Sequence, residues 1–111
     1  MTYRVVFTDA ALQDLDEIAD SIANLHSVRQ ALHVAREIRK RVETLNVFPD
    51  RGTHLPELLD LSAGSTMEYR QLHWKPYRIV YLVSGSVVNI MLIADGRRDM
   101  PALLLKRLVH P

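Results

Sequence analysis

The spacing of apolar residues along the chain changes from one segment to the next, and each spacing predicts a structural element. Residues 3–8 are rich in β-branched and aromatic side chains and predict a first β-strand. Apolar residues then recur at helical spacing, which predicts a helix at about Asp9 to Leu25. Ser27 and Gln30 form a capping box that begins a second amphipathic helix, and Pro49 ends it. Because the link between the two helices is short, we expect an antiparallel helical hairpin.

Between Glu68 and Leu108 the pattern becomes that of strands. Three runs rich in β-branched and aromatic residues are separated by turn-forming residues, which is typical of an antiparallel meander; the runs are 68–72, 77–83 and 87–93. Asp99 can cap a short last helix that carries Pro101 in its first turn. The stretch from Pro49 to Glu57 is rich in turn formers, and we expect it to be a loop.

These elements predict an α+β fold in the order β-α-α-β-β-β-α. We expect one domain over residues 1–111, in which an antiparallel sheet is covered on one face by the helical hairpin. The opposite face should be partly open and lined by arginines, because the strands alternate in polarity too much to be buried on both sides. The pattern leaves the position of the first strand in the sheet open.

Composition excludes several classes of protein. The 111 residues include no cysteine, so neither a disulfide framework nor a thiolate metal site can form. The five histidines are scattered without metal-ligand spacing, and we expect no metal or cofactor. No apolar run approaches the roughly 18 residues of a membrane span, and the first residues do not resemble a signal peptide. We therefore expect a cytoplasmic protein.

Charge is distributed unevenly along the chain, although the formal net charge is only +1. Residues 9–20 contain five acidic side chains and no basic one, whereas residues 66–111 contain seven basic side chains against three acidic ones. A basic C-terminal half favours an acidic partner. The overall balance is weaker than that of a dedicated nucleic-acid-binding domain.

Several short segments, in this order and at this spacing, resemble the RelE/ParE superfamily of bacterial toxins. The resemblance covers nearly the whole chain and rests on the ordered set rather than on any single piece: Phe48-Pro49-Asp50-Arg51-Gly52, Glu68-Tyr69-Arg70, Tyr77-Arg78-Ile79-Val80-Tyr81 and Arg97-Arg98-Asp99-Met100. It implies the toxin of a type II toxin–antitoxin pair, bound by an antitoxin whose disordered tail folds onto it. RelE-type members cut mRNA on the ribosome, and ParE-type members poison DNA gyrase.

The RelE-type pattern is only partly present. An endoribonuclease of this kind would use Arg70, Arg78, Arg97 and Arg98 as its cations. The pattern has another base two residues after the first of these, where this chain has Leu72, and a further cation near Met100. Proton transfer needs a titratable group within hydrogen-bond reach. After Tyr81 the only candidate for it is His110.

The ParE-type pattern requires less chemistry and fits better. The segment 97–100 and the pair Arg107-Leu108 match its layout after the last strand. We therefore expect an inhibitor of DNA gyrase that performs no chemistry of its own. The alternative is a ribosome-dependent mRNA endoribonuclease, and a second alternative is a toxin-like remnant kept as a binding module.

The resemblance and the pattern together nominate site residues. The candidates for target binding are Arg51, Arg70, Trp74, Lys75, Arg78, Arg97 and Arg98, and those for antitoxin binding are Leu103, Leu104, Leu105 and Arg107. Structural roles compete with these assignments: Arg78 could pair with Glu68 across the strands, Arg98 with Asp99, and Trp74 could fold back on the core. A homodimer and a toxin–antitoxin hetero-oligomer are both compatible with the resemblance.

Overall fold

The computed structural model describes residues 2–59 and 69–109. Their elements follow in the order β1 (Arg4–Phe7), α1 (Asp9–Leu25), α2 (Val28–Glu43), a 3₁₀ turn (Thr44–Asn46), β2 (Thr53–His54), α3 (Pro56–Leu59), β3 (Tyr69–Trp74), β4 (Tyr77–Ser84), β5 (Val87–Asp95) and α4 (Met100–Val109). This is the predicted α+β fold. The brief turn or extended piece expected at 58–61 lies partly outside the described residues, and the expected start of the meander at Glu68 lies wholly outside them.

Side-chain caps fix where the long helices begin. The Thr8 hydroxyl accepts a hydrogen bond from the amide of Ala11 at 3.1 Å, and α1 ends at Leu25, as the pattern predicted. The Ser27 hydroxyl accepts from the amide of Gln30 at 3.1 Å and begins α2. The two helices form the expected hairpin because only His26 and Ser27 separate them.

The strands form one sheet in the order β1-β5-β4-β3-β2. The meander β3-β4-β5 is antiparallel, as predicted. The first strand, whose position the sequence left open, pairs with β5 in parallel, so the sheet is mixed. The predicted loop after Pro49 contains the two-residue strand β2, which pairs with β3 through Thr53 and His54 and is too short to have a readable period.

Two cores lie on the two faces of the sheet. The helical hairpin covers the larger one, in which Leu15 and Ile38 pack against Ile79, Tyr81 and their neighbours. The opposite face carries a second core, built from Leu55, Val80, Leu92, Ala94, Met100 and Leu104.

The expectation of an open second face is therefore wrong for the described residues. The reason is visible in β4, where Ile79, Val80 and Tyr81 in succession are fully buried. A strand that is apolar on both faces needs a cover on each side, and α4 supplies the second one. Among the described helices, none is long and apolar enough to cross a membrane.

Candidate functional site

The loop that follows α2 is fixed to the sheet by Tyr81. Its hydroxyl donates to the carbonyl of Pro49 at 2.7 Å and accepts from the amide of Gly52 at 2.8 Å. A Cβ at Gly52 would lie 2.6 Å from that hydroxyl, so only glycine permits the approach. Burial raises the pKa of Tyr81, which keeps the phenol protonated as the donor this loop requires.

Arg70 is part of the same anchor. Its Nη1 donates to the carbonyl of Gly52 at 2.8 Å and to that of Asp50 at 3.3 Å, and its side chain is half-buried. Arg51 is exposed, and its Nη1 donates to the Thr44 hydroxyl. Both arginines thus lie beside the loop, with Arg70 held by backbone carbonyls.

Arg78 is buried on the face of the sheet that carries the second core. Its two terminal nitrogens donate to the two carboxylate oxygens of Glu57 at 2.6 and 2.8 Å, and its Nε donates to Gln71 Oε1 at 2.6 Å. Only 7% of the residue is exposed. The hydrogen bond from Arg78 holds the pKa of Glu57 below its usual value. The interpretation that Arg78 pairs with Glu68 concerns a residue outside the described ranges.

Arg70 and Arg78 lie on opposite faces of the sheet. In the antiparallel register Arg70 is opposite Tyr81, which belongs to the core under the hairpin, whereas Arg78 is opposite His73. Residues directly opposite each other in such a pair share a face, and Arg78 and Tyr81 are three residues apart on one strand, so they point to different faces. The sheet therefore separates the two arginines that the sequence placed together.

The β3–β4 turn and the segment after β5 meet at one end of the sheet. The amide of Gly96 donates to the carbonyl of Pro76 at 2.7 Å and ties the two segments together. This contact brings three exposed cations to the same end, Lys75, Arg97 and Arg98, and we call them the basic end. The left-handed backbone of Lys75 (φ 54°) is uncommon for a residue with a Cβ.

Arg97 is already paired at this end, whereas Arg98 is not. Arg97 Nε donates to Asp95 Oδ1 at 2.9 Å and its Nη2 donates to Oδ2, and these bonds lower the pKa of Asp95 to about 2. Arg98 and Asp99 form no ion pair in the described part of the chain; Asp99 instead accepts from the amide of Ala102 and caps α4. Arg98 therefore keeps a guanidinium exposed to solvent.

Trp74 immediately precedes Lys75 of the basic end and belongs to the core under the helical hairpin. It is 8% exposed and belongs to the core, which matches the structural role weighed against target binding. Its ring stacks on Tyr77 with centroids 6.3 Å apart. Lys75 Nζ and the guanidinium carbon of Arg41 lie 5.7 and 5.3 Å from its centroid, within cation–π range. The indole is in contact with these cations and is itself largely buried, so it offers little surface to a partner.

The nominated antitoxin residues on α4 are not equally accessible. Leu104 is buried at 2% and Leu103 is partly buried in the second core, whereas Leu105 is 68% exposed. Arg107 reaches Asp14 on α1 with bonds of 2.6 and 2.8 Å, and it also donates to the carbonyl of Met91 at 2.9 Å. Leu105 is the member of this group that remains open to a partner.

The sequence did not single out two exposed features. The outer side of α2 is basic, and Phe48 with Val47 forms an exposed apolar step just after it, at 65% and 51% exposure. The basic residues of α2 lay off the apolar stripe and resembled an ordinary solvated face. Phe48 was noted only as part of a motif, since nothing local indicates that its ring points outward.

Comparison with known proteins agrees with this fold. Residues 5–100 match the family described as the ParE toxin of the type II toxin–antitoxin system parDE. The chain is similar to Toxin ParE3 of Caulobacter vibrioides, with 29% identity over 104 residues that cover 94% of this chain and 97% of that protein.

Two solved structures resemble it in fold. One, from the chromosomal ParDE toxin–antitoxin system of P. aeruginosa, has a TM-score of 0.66 and 23% identity, covering 85% of this chain and 96% of the other. The other, a mutant of the E. coli toxin RelE in the free state, has a TM-score of 0.57 and 15% identity, covering 93% of each chain. The match to the family over residues 5–100 is the decisive finding, and the chain belongs to the ParE toxin family of type II toxin–antitoxin systems.

Proposed function

We propose that this protein inhibits DNA gyrase by binding it, without chemistry of its own, and that a cognate antitoxin neutralises it in the cytoplasm. Membership of the ParE family supports the choice of target. The observation that carries the binding mechanism is the separation of the four arginines an endoribonuclease would use. Arg78 and Arg97 are each held in a bidentate ion pair, with Glu57 and Asp95 respectively. Arg70 and Arg78 point to opposite faces of the sheet.

The alternative, an mRNA endoribonuclease, would need a convergent set of groups around the scissile phosphate. Cations must approach the developing charge together, and a proton-transfer group must lie within hydrogen-bond reach. Tyr81 and His54 are both directly opposite Arg70 in the sheet, but the Tyr81 hydroxyl is used by the loop at Gly52 and its pKa is raised. Both side chains lie on the face that Arg78 does not share, so the cations and a proton-transfer group do not converge on one point. This arrangement favours binding over cleavage.

The basic end is the surface we assign to the target. Lys75 and Arg98 are exposed cations held on a tied pair of turns, so they can meet acidic side chains without a costly rearrangement. Arg97 can contribute only in part, because Asp95 holds its guanidinium. Arg51 and Arg70 lie beside the other loop and are secondary candidates.

The test is a supercoiling assay with purified gyrase and purified toxin. Wild-type protein should inhibit supercoiling, and the double variant K75E/R98E should need about tenfold or more protein for the same inhibition, since opposed charges at an interface are strongly unfavourable. The variant R4E/K106E is the matched control: it reverses two exposed cations outside the basic end and should inhibit like wild type.

Different results would redirect the assignment. If wild-type protein leaves gyrase unaffected while translated mRNA is cut at defined codons, the endoribonuclease alternative is correct. If gyrase is inhibited equally by K75E/R98E and wild type, the target binds elsewhere on the molecule. Absence of growth arrest on expression without antitoxin would favour the remnant kept as a binding module.

A further inference from the structure

The outer side of α2 presents a row of basic side chains. Arg29, His33, Arg36 and Lys40 are all exposed and follow each other at spacings of three or four residues, which places them on one side of the helix. At 1.5 Å per residue the row is about 16 Å long. A row of this length can contact several acidic groups of one partner segment.

The row continues into a shallow groove that reaches the step after the helix. One concave surface lies along Arg29, His33, Arg36 and Lys40, and a second lies along Thr44, Val47 and Phe48; the two share Lys40 and Glu43. We call the combined surface the α2 groove. Its helical part, from Arg29 to Glu43, is about 21 Å long, which a partner helix of about 14 residues would span, and Phe48 lies just beyond its end.

Local hydrogen bonds hold the apolar end of the groove in place. The amide of Phe48 donates to the carbonyl of Thr44 at 3.1 Å, and the amide of Arg51 donates to the carbonyl of Phe48 at 3.2 Å. The turn is closed further by the Arg51 guanidinium on the Thr44 hydroxyl. The ring is thus exposed on an ordered turn, and aromatic side chains, phenylalanine included, are enriched at the centres of protein interfaces.

We propose that the α2 groove binds the antitoxin through a segment that carries acidic side chains along its middle and an apolar side chain at the end over Phe48. This inference rests on the proposed neutralisation by a cognate antitoxin and adds where it occurs. Charge complementarity with Arg29, Arg36 and Lys40 selects the acidic stretch, and Phe48 with Val47 selects the apolar end.

Features of the groove distinguish a protein segment from nucleic acid. Glu37 and Glu43 also line it, so the groove carries both signs of charge and is not a continuous cationic track of the kind that follows a phosphate backbone. Glu37 is paired within its own helix, 2.8 Å from Arg41 and 3.6 Å from Lys40. The Lys40 side chain stays largely exposed, so an acidic side chain of a partner can approach it as well as Arg29 and Arg36. The exposed phenyl ring of Phe48 follows the exposed side chain of Val47, and together they offer an apolar surface that an apolar side chain of a partner can cover.

The α2 groove also fits an antitoxin better than the surface of α4 does. On α4 Leu104 is buried in the second core and Arg107 is paired with Asp14, so its large exposed apolar side chains are those of Leu105 and Val109. The groove offers charge and an aromatic side chain together. Phe48 and Leu105, at 65% and 68% exposure, therefore form a matched pair for testing the two surfaces.

The experiment measures binding of the cognate antitoxin, produced from the reading frame beside this one, to purified full-length toxin by calorimetry. R36E/K40E should weaken binding by about a hundredfold, and F48A by about tenfold or more, the usual range for a charged cluster and an aromatic anchor. R4E/K106E should bind within about twofold of wild type, L105A should lose less affinity than F48A, and thermal unfolding should confirm that every variant is folded.

The outcomes separate this inference from the proposed function. If wild-type toxin does not bind the antitoxin, neutralisation by that partner is wrong. If wild type binds and R36E/K40E and F48A bind equally well, the α2 groove is not the binding site, and loss in L105A would assign it to α4. Binding of a 20-base-pair duplex that R36E/K40E removes, with antitoxin binding intact, would show instead that the groove contacts DNA.

Discussion

Two arginine–carboxylate pairs of this protein have the same chemistry and opposite surroundings. Arg78 pairs with Glu57 in bidentate geometry, with side chains 9% and 20% exposed. Arg97 pairs with Asp95, also through two nitrogens, but its side chain is 81% exposed. Both arginines were nominated for target binding from the sequence. Burial gives them different roles. Breaking a buried ion pair leaves an uncompensated charge inside the protein and costs much stability, whereas the partners of an exposed pair can be hydrated by water when the pair opens.

The basic side chains of this protein fall into a structural group and an exposed group. Arg78 and Arg107 are bound to carboxylates far away in the chain, Glu57 and Asp14, and connect elements that would otherwise separate. Lys75 and Arg98 are not used in this way and remain at the surface. A cation can bind a macromolecular target when the fold does not already use it in an ion pair. Lys75 and Arg98 of the basic end meet this condition, whereas Arg78 does not.

The largest expected effect follows from removing the buried arginine. R78M should lower the free energy of unfolding by roughly 3 kcal/mol, because Glu57 and Gln71 lose their partner while remaining largely enclosed. Urea denaturation of R78M and R97M, which remove equal charge, measures the difference. R97M should unfold close to the wild-type midpoint, since its side chain is solvated. Equal midpoints for the two variants would show that burial does not distinguish the pairs.

Short-range features of this structure were predictable from the sequence, and long-range ones were not. The starts of α1 and α2 depend on Thr8 and Ser27, which act on an amide three residues away. The pairing of Arg78 with Glu57 joins residues 21 positions apart, and Glu57 lay in a stretch that the pattern marked only as loop. No periodicity encodes such a contact, so the sequence left Arg78 between target binding and a cross-strand pair with Glu68 and did not indicate Glu57.

The basic end and the α2 groove were also only partly predictable, because both depend on contacts between distant residues. The meander and its turns were predictable because each strand run is bounded by turn formers, and this placed Lys75, Arg97 and Arg98 near strand ends. That the two turns meet depends on the bond between Gly96 and Pro76, which only the folded sheet creates. The α2 groove was missed for the opposite reason, because a basic helix face is ordinary until an exposed aromatic ring is found at its end.

The stability contributed by the buried pair of Arg78 and Glu57 should depend on pH. The pKa of Glu57 is lowered by Arg78, so this carboxylate contributes stability above its usual value of 4.5 and loses it as the pH falls through the lowered folded-state pKa. The stability difference between wild type and R78M should therefore shrink as the pH falls from neutral to about 3. Urea midpoints across this range give the curve, and E57Q should reduce the same dependence. A difference that is constant with pH would mean that the ion pair contributes little.

The smallest effect is expected at the exposed pair, where it should be local rather than global. The pKa of Asp95 is about 2, lowered from its usual value of 3.8 by hydrogen bonds from the side chain and backbone of Arg97. In R97M the side-chain bonds are lost and the backbone bond remains, so the pKa should rise part of the way toward 3.8. Titration of the carboxyl carbon of Asp95 by NMR measures this shift, and R98M is the matched control, for which a smaller shift is expected.

The effect of R97M on stability should be small. Because a lowered carboxyl pKa stabilises the folded state above pH 3.8 and this stabilisation is lost as the pH falls toward 2, any change in stability should be confined to strong acid and should diminish with added salt. A rise in R98M as large as in R97M would contradict the pairing and would imply that general positive charge at the basic end, rather than one bidentate contact, holds Asp95 ionised.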